Sequence, residues 1–254
     1  MRVRVAIPQA VPYPHAAVVQ GLKALGHEIA PLSEITHDLV VTWTPWHGTV
    51  RDVEARSHRI VVVIENGWFS PLQDKRLYQV ALWGFNGTGA FVEGPPGRLG
   101  TWNLPPVRVL AKAHGPWLVV AQRRGTGDPR SMPPDWPERV TARLRDHVQV
   151  NIHYRGRGEN PYEVMERLHP RGVVTWSSSF SSWALWSGVP VFYCGPGIMG
   201  WRVARRWHED QPAPEPYEVD RMTVETEFQR LAWAQWSETE IATGEPFARL
   251  LRDR

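Results

Sequence analysis

The feature that most constrains this chain is a repeated exchange between short Val- and Ile-rich runs and stretches of helical periodicity. "RVRVAI" (2–7), "DLVVTWT" (38–44) and "RIVVVI" (59–64) have the length and β-branched content of strands. Between the first two lies "HAAVVQGLKALGHEI", where Val18, Val19, Leu22 and Leu25 recur at helical spacing and Gly26 offers a stop. "GTVRDVEARS" predicts a shorter helix before the third strand. A segment rich in Gly and Pro, 84–106, interrupts the pattern and suggests a boundary. The exchange then resumes. "PWLVVAQ", "HVQVNIH", "GVVTW" and "VPVFYC" read as strands; "PDWPERVTARLRD", "NPYEVMERL" and "SSSFSSWALWSG" read as the helices between them. Parallel strands need crossover connections, and helices in that role cover both faces of the sheet. The expected fold class is therefore α/β, with two doubly wound, Rossmann-like domains over 1–105 and 106–215. A wholly helical segment, 216–254, is expected to pack back on the first domain. Ligands in such folds bind at the carboxyl ends of the strands.

Composition narrows the function classes. With 42% apolar and 22% charged residues in 254, the chain is globular rather than disordered. No apolar run approaches the roughly 20 residues of a membrane span, and the apolar stretch of "MRVRVAIPQA" is too short for a secretory signal, so a cytoplasmic protein is expected. The lone Cys194 has no disulfide partner and reads as a buried small hydrophobe. A net charge of +3 permits a polyanionic partner without requiring one. Fourteen tryptophans could stack bases or sugars, although core packing accounts more simply for most of them.

The motif that points to chemistry is "VVTWSSSFSSWALWSGVPVFYCGP", 173–196. A strand ends in hydroxyls, a helix of small residues follows, and Gly188 and Pro190 lead into another strand. Helix N-termini carry unpaired N–H groups, and serines there add donors without bulk, which suits a phosphate or diphosphate. A serine at that place is equally suited to serve only as a helix cap.

This stretch resembles the donor-side motif of GT-B glycosyltransferases, on the match of Ser177, Ser178, Ser179, Gly188 and Pro190. "HAAVVQGLKALGHEI" is similar to the first helix of that family through His15 and Gly26-His27. "LVVAQRRGTG" is similar to the first strand and loop of its donor domain. The resemblance implies a GT-B arrangement with a helical C-terminal tail and no permanently bound cofactor. It implies a nucleotide sugar as co-substrate, a UDP-sugar first among them, with its diphosphate held by Gln122, Arg123, Arg124, Ser177, Ser178 and Ser179. Where many members carry a Glu that holds the donor ribose, this chain has Trp183. The tail, "FQRLAWAQWSETEIATGEPFARLL", resembles uncharacterised glycosyltransferase-like proteins of bacteriophages. That likeness implies double-stranded DNA with 5-hydroxymethylpyrimidine bases as acceptor, inside an infected bacterial cell.

Sugar transfer to a hydroxyl needs a base for the acceptor proton and donors or cations for the departing diphosphate. Glu65, in "VVVIENGWF", is the leading base because it stands at a strand's carboxyl end, with Asn66 and Gly67 expected to form a tight turn beside it. His15 is a second base or an acceptor contact. Asn66, and Asn86 and Gly87 in "WGFNGTGAF", are candidate acceptor contacts. His153 and Arg155, with Arg157, form a basic loop suited to donor phosphates or a DNA backbone. Arg202, Arg205 and Arg206 fall at helical spacing, as a cationic or merely solvated face. No metal is expected: there is no HExxH, cysteine cluster or DxD. The lack of GxSxG disfavours a serine hydrolase. Other readings stay open: a sugar-nucleotide epimerase or hydrolase of the same fold, a transferase acting on a polysaccharide or small molecule, and a non-catalytic DNA-binding protein.

Overall fold

Runs of Val, Ile and Leu become the strands of two sheets in the computed structural model. It describes residues 4–7, 14–30, 38–43, 60–69, 76–102, 104, 110–112, 114–122, 131–151 and 160–252. The chain divides into two compact units, 1–104 with 229–254, and 105–228.

In the first unit, β1 (Arg4–Ala6), β2 (Glu28–Ala30), β3 (Leu39–Thr42), β4 (Ile60–Asn66), β5 (Leu77–Leu82) and β11 (Gln235–Ser237) form one sheet in the order β11-β5-β4-β3-β1-β2. β1 through β4 pair in parallel, as expected. β5 runs antiparallel to β4, and β11 antiparallel to β5, so the sheet is mixed rather than wholly parallel. The connection from β4 to β5, 67–76, is shorter than the dozen or so residues a parallel crossover needs. β11 also corrects the expectation of a wholly helical C-terminal segment. The helix expected at 48–57 lies outside the described residues.

Alternation along each strand gives this sheet two different faces. Val5, Leu39, Val62, Ile64, Val80 and Trp236 face a core closed by Val18 and Leu22 of α1 (His15–Ala24), Ile241 of α6 (Glu238–Thr243) and Phe247 of α7 (Glu245–Leu251). Each such fully buried aliphatic side chain contributes about 1.5–3 kcal/mol. The opposite face carries Val61, Val63 and Glu65 on β4, and Gln79 and Ala81 on β5. Local signals set the ends of these helices. α1 stops at Gly26, whose φ of +79° closes the turn, and α6 begins in a reciprocal cap between Ser237 and Glu240.

Arg98 ties the C-terminal segment to this sheet. Its guanidinium donates to the carbonyls of Ala232 (3.1 Å) and Gln235 (2.8 Å) and meets Glu240 at 2.8 Å. It also lies 4.2 Å from the Trp236 ring centroid and 4.9 Å from that of Trp233.

In the second unit, β6 (Trp117–Ala121), β7 (His147–Asn151), β8 (Gly172–Thr175), β9 (Val191–Tyr193) and β10 (Arg205–Arg206) form an all-parallel sheet in the order β10-β9-β8-β6-β7. Helices α2 (Trp136–Thr141), α3 (Pro161–Leu168) and α4 (Phe180–Trp186) fall between the strands as the periodicity predicts. Asn160 caps α3 by accepting from the Tyr162 N–H, with Pro161 at the first helical position. The arginines of 202–206 do not form a helix face. Residues 201–204 make a turn, Arg205 and Arg206 form β10, and Arg205 stacks 4.3 Å over Tyr217. The chain returns to the first unit within α5 (Arg221–Leu231), at Gln229.

The tryptophans are largely core residues: Trp68, Trp117, Trp136, Trp186, Trp207 and Trp236 are buried, whereas Trp83 and Trp201 are exposed. Cys194 is buried too, and burial raises its thiol to about 12, which keeps it unreactive. Among the described residues no helix is long and apolar enough to cross a membrane.

Candidate functional site

In the second unit the chain passes from β6 to β7 on one side and then to β8 on the other. The order of strands therefore reverses between β6 and β8. At such a switch point the connections leave in opposite directions and open a crevice at the carboxyl ends of the strands. Gln122 follows β6 and Ser177 follows β8, and they meet there: Gln122 Oε1 accepts from the Ser177 N–H at 2.8 Å and from its hydroxyl at 3.2 Å. Below them, the buried Thr175 hydroxyl donates to the Val120 carbonyl at 3.0 Å and pins the two strands together.

The serines beyond have divergent fates. Ser178 is expected to face a ligand, but it is buried, and its Oγ accepts from the Phe180 N–H at 3.1 Å, which ties it into the turn before α4. Ser181 is buried and donates to the Met199 carbonyl, and Ser182 is fully buried. Ser177 and Ser179 remain half-exposed beyond the carboxyl end of β8. Gly188, with φ +67°, closes α4 before Pro190 and β9. Trp183, half-buried on α4, packs with its ring centroid 6.1 Å from that of Tyr162. Arg123, Arg124, His153 and Arg155 lie outside the described residues.

In the first unit, Glu65 is the penultimate residue of β4, with Asn66 still in the strand. Asn66 and Gly67 are not the tight turn expected. They continue the antiparallel ladder, with the Gly67 N–H donating to the Leu77 carbonyl at 2.8 Å. Only glycine fits at 67, because a Cβ would sit 2.8 Å from Gln235 Oε1 and 2.9 Å from Leu77.

One oxygen of Glu65 is engaged: Oε1 accepts from the Asn66 N–H at 2.9 Å and from its side-chain amide at 3.3 Å. Asn66, expected as an acceptor contact, thus holds Glu65, and its own Oδ1 accepts from Arg76 at 3.0 Å. Burial outweighs these bonds and the positive field of Arg76, and raises the Glu65 carboxyl to about 7. Near neutrality such a group can both take and return a proton, as general-base chemistry requires.

Asn86 is buried, with its N–H on Gln79 Oε1 (3.0 Å) and its Oδ1 on the Trp68 indole (3.2 Å). Its φ of +52° lies in the left-handed region that Asn tolerates. These bonds make Asn86 part of the loop's framework, and Gly87 is half-buried in the same short 3-10 turn, Asn86–Thr88. His15 is exposed at the first position of α1, at the same carboxyl edge of the sheet as Glu65. β3 separates their strands, a spacing of roughly 10 Å, and α1 covers the face opposite to that of Glu65. Among the described residues there is no group of three or more His, Cys, Asp or Glu that could hold a metal ion.

No protein-family model matches the sequence, and neither does any curated protein. Solved structures do match. The chain is similar to KpsC of Thermosulfurimonas dismutans described as a beta Kdo 2,7 transferase, with a TM-score of 0.56 and 11% identity over 100% of both chains. It is also similar to KpsC of the same organism described as a beta Kdo 2,4 transferase, with a TM-score of 0.52 and 11% identity over 93% of this chain and 92% of that one. The chain shares the fold of these two structures. Its two Rossmann-like units each carry a parallel-dominated sheet, which bears out the expected α/β class.

Sequence reasoning missed Gln79, Gln235, Arg76 and Arg98. Gln79 interrupts the apolar run "LYQVAL", and a fully buried glutamine there is a signal that a search for apolar runs passes over.

Proposed function

We propose that the protein is a glycosyltransferase that moves a sugar from a nucleotide-sugar donor to a hydroxyl acceptor, with Glu65 as the general base. The observation that carries this reading is a carboxyl raised to about 7 at the carboxyl end of a strand, in a fold shared with sugar transferases. Glu65 takes the acceptor's hydroxyl proton as the oxygen attacks the anomeric carbon, and the nucleoside diphosphate or monophosphate leaves with the electrons of the broken bond. Ser177 and Ser179, at the β6/β8 switch point, are assigned to the donor phosphates, with Gln122 holding Ser177 in place. Arg123, Arg124, His153 and Arg155 are assigned to the same group by their resemblance to the family. His15 is assigned an acceptor-side role, as is Gly87.

The acceptor we favour is a saccharide hydroxyl, since the similar structures are described as Kdo transferases. Hydroxymethylated DNA is the other acceptor, on the likeness of the tail and the mildly basic charge. The test is a mass-spectrometric screen that pairs UDP-sugars and nucleotide-activated Kdo with oligosaccharide acceptors, hydroxymethylated DNA and unmodified DNA. One sugar mass added to an acceptor is expected. Donor consumption without any acceptor would favour an epimerase or hydrolase, and no reaction with any pair would reject the reading.

Gln122→Ala is expected to free Ser177 and raise the donor KM about tenfold, the worth of one or two hydrogen bonds, with kcat little changed. Calorimetric titration of the donor measures the same loss directly.

A further inference from the structure

The antiparallel half of the first sheet carries a polar row. Glu65 on β4 lies directly opposite Gln79 on β5, and Gln79 lies directly opposite Gln235 on β11. Directly opposed residues share a face, so all three side chains stand together, on the face away from α1, α6 and α7. The Gly67 N–H to Leu77 carbonyl bond makes 67–77, and hence 65–79, hydrogen-bonded pairs of the ladder. Gln79 and Gln235 then form a non-hydrogen-bonded pair, in which side chains come closest.

Both glutamines are fully buried, and both are locked in orientation. Gln79 Oε1 accepts from the Asn86 N–H at 3.0 Å, and Gln235 Oε1 from the Phe69 N–H at 3.1 Å. Because a backbone N–H needs an acceptor, neither carboxamide can be flipped. The amide nitrogens of both side chains are left buried with no hydrogen-bond partner among the described residues. Each such buried donor destabilises the fold until it finds an acceptor. Meanwhile Glu65 uses only Oε1, and Oε2 has no hydrogen bond among the described residues. A strand pair that holds a carboxyl with a free oxygen opposite a buried amide with free hydrogens has an unmade bond at its centre.

We infer that Gln79 is a positioning residue for Glu65: its side-chain amide donates to the Glu65 carboxylate, holding it ionised and aimed, while Gln235 backs the row from β11. Opposed long side chains lie within reach of each other in such pairs, so a small side-chain rotation makes the bond. Among the described residues the charged group acting on Glu65 is Arg76, just before β5. The turn after β4, the 3-10 turn and β11 bring Trp68, Asn86, Gln235 and Ser237 to this region, none of them charged at neutral pH. Tyr78, next along β5, belongs to the opposite face, and Glu238 acts on Tyr78. The catalytic consequence rests on Glu65 being the base; the contact itself does not.

The test is a pH titration of Glu65 in the full chain by carboxyl carbon-13 NMR, with Glu65→Gln assigning the resonance. Gln79→Met keeps the volume and removes the donor. It is expected to raise the Glu65 midpoint by about one pH unit, a roughly tenfold fall in the ratio of ionised to protonated carboxyl. Gln235→Met, one strand further away, is expected to move it less. An unchanged or lowered midpoint in folded Gln79→Met overturns the inference, as does an equal shift from Gln235→Met. Should Gln79→Met not fold, the parent supplies the readout. The Gln79 side-chain amide resonances should follow the Glu65 midpoint in the parent and stay still in Glu65→Gln; a flat response in the parent overturns the inference. Coupling between the two residues without any sugar transfer would leave the contact standing and reject the proposed activity, so the two failures are distinguishable.

Discussion

Glu65→Gln should cut turnover by about 10²–10⁴-fold, the usual worth of a positioned general base, while donor affinity stays within about twofold. The same substitution should stabilise the fold, by an amount that grows from about pH 4.5 and is complete above about pH 7. Burial disfavours the charged form, so the carboxyl sits at about 7 in the folded protein, against the usual 4.5. Below pH 4.5 both folded and unfolded chains are protonated there, and the group costs nothing. As pH rises from 4.5 to 7 the unfolded chain ionises first, and the folded state loses ground. Above about 7 the cost is complete, at about 3 kcal/mol. A glutamine carries no such cost and can keep the Asn66 N–H through its own Oε1. Melting temperatures of parent and variant should therefore coincide near pH 4 and separate by several degrees near pH 8, the variant higher, on the scale expected for a few kcal/mol. A residue that lowers stability where the protein works, and whose removal stops turnover, is serving chemistry rather than folding.

Arg98→Ala should be among the most destabilising single changes, at about 3–5 kcal/mol. Its side chain is only 10% exposed, and losing it strands the carbonyls of Ala232 and Gln235 and takes the partner of one Glu240 oxygen, Oε1. It also removes the cation stacked on Trp236 and Trp233. Arg98→Lys keeps the charge but not the planar fork that serves two carbonyls and a carboxylate at once, so it should recover less than half of the loss. Urea unfolding curves measure both, and a midpoint for Arg98→Ala equal to the parent's would show that β11 is held to the sheet by other means. Because β11 carries Gln235, the substitution should also disturb the polar row beside Glu65.

The parts of this fold legible in the sequence are those with a strong period. The Val- and Ile-rich runs became β1, β3, β4 and β6 to β9 because their side chains must be buried on both sides of a sheet. β5 was hidden because Gln79 breaks its apolar run and a glycine-rich loop follows directly. β11 has three residues, too few to show a period, and exists because β5 offers an open edge. Its neighbour α6, in contrast, announces itself in the S-x-x-E spacing of Ser237 and Glu240.

At the candidate site, the position of Glu65 at the end of an apolar run was readable, but its setting was not. A run of hydrophobic residues does not reveal whether the next strand returns parallel or antiparallel, and the antiparallel return is what brings Gln79 opposite Glu65. In the serine cluster the residue type was informative and the facing direction was not. Which of Ser177, Ser178 and Ser179 points inward depends on the turn that joins β8 to α4, and there Ser178 turns in to accept from the Phe180 N–H. The importance of Arg98 had no local sign at all, since its partners lie more than 130 residues away.

The most direct measurement is the pH dependence of kcat/KM for sugar transfer, taken on the donor and acceptor that the screen identifies. A single ionisation with its midpoint at about 7, rising toward alkaline pH and lost in Glu65→Gln, is the predicted result. A rate that stays flat through neutrality, or that survives the substitution, would contradict the assignment of Glu65 as the base.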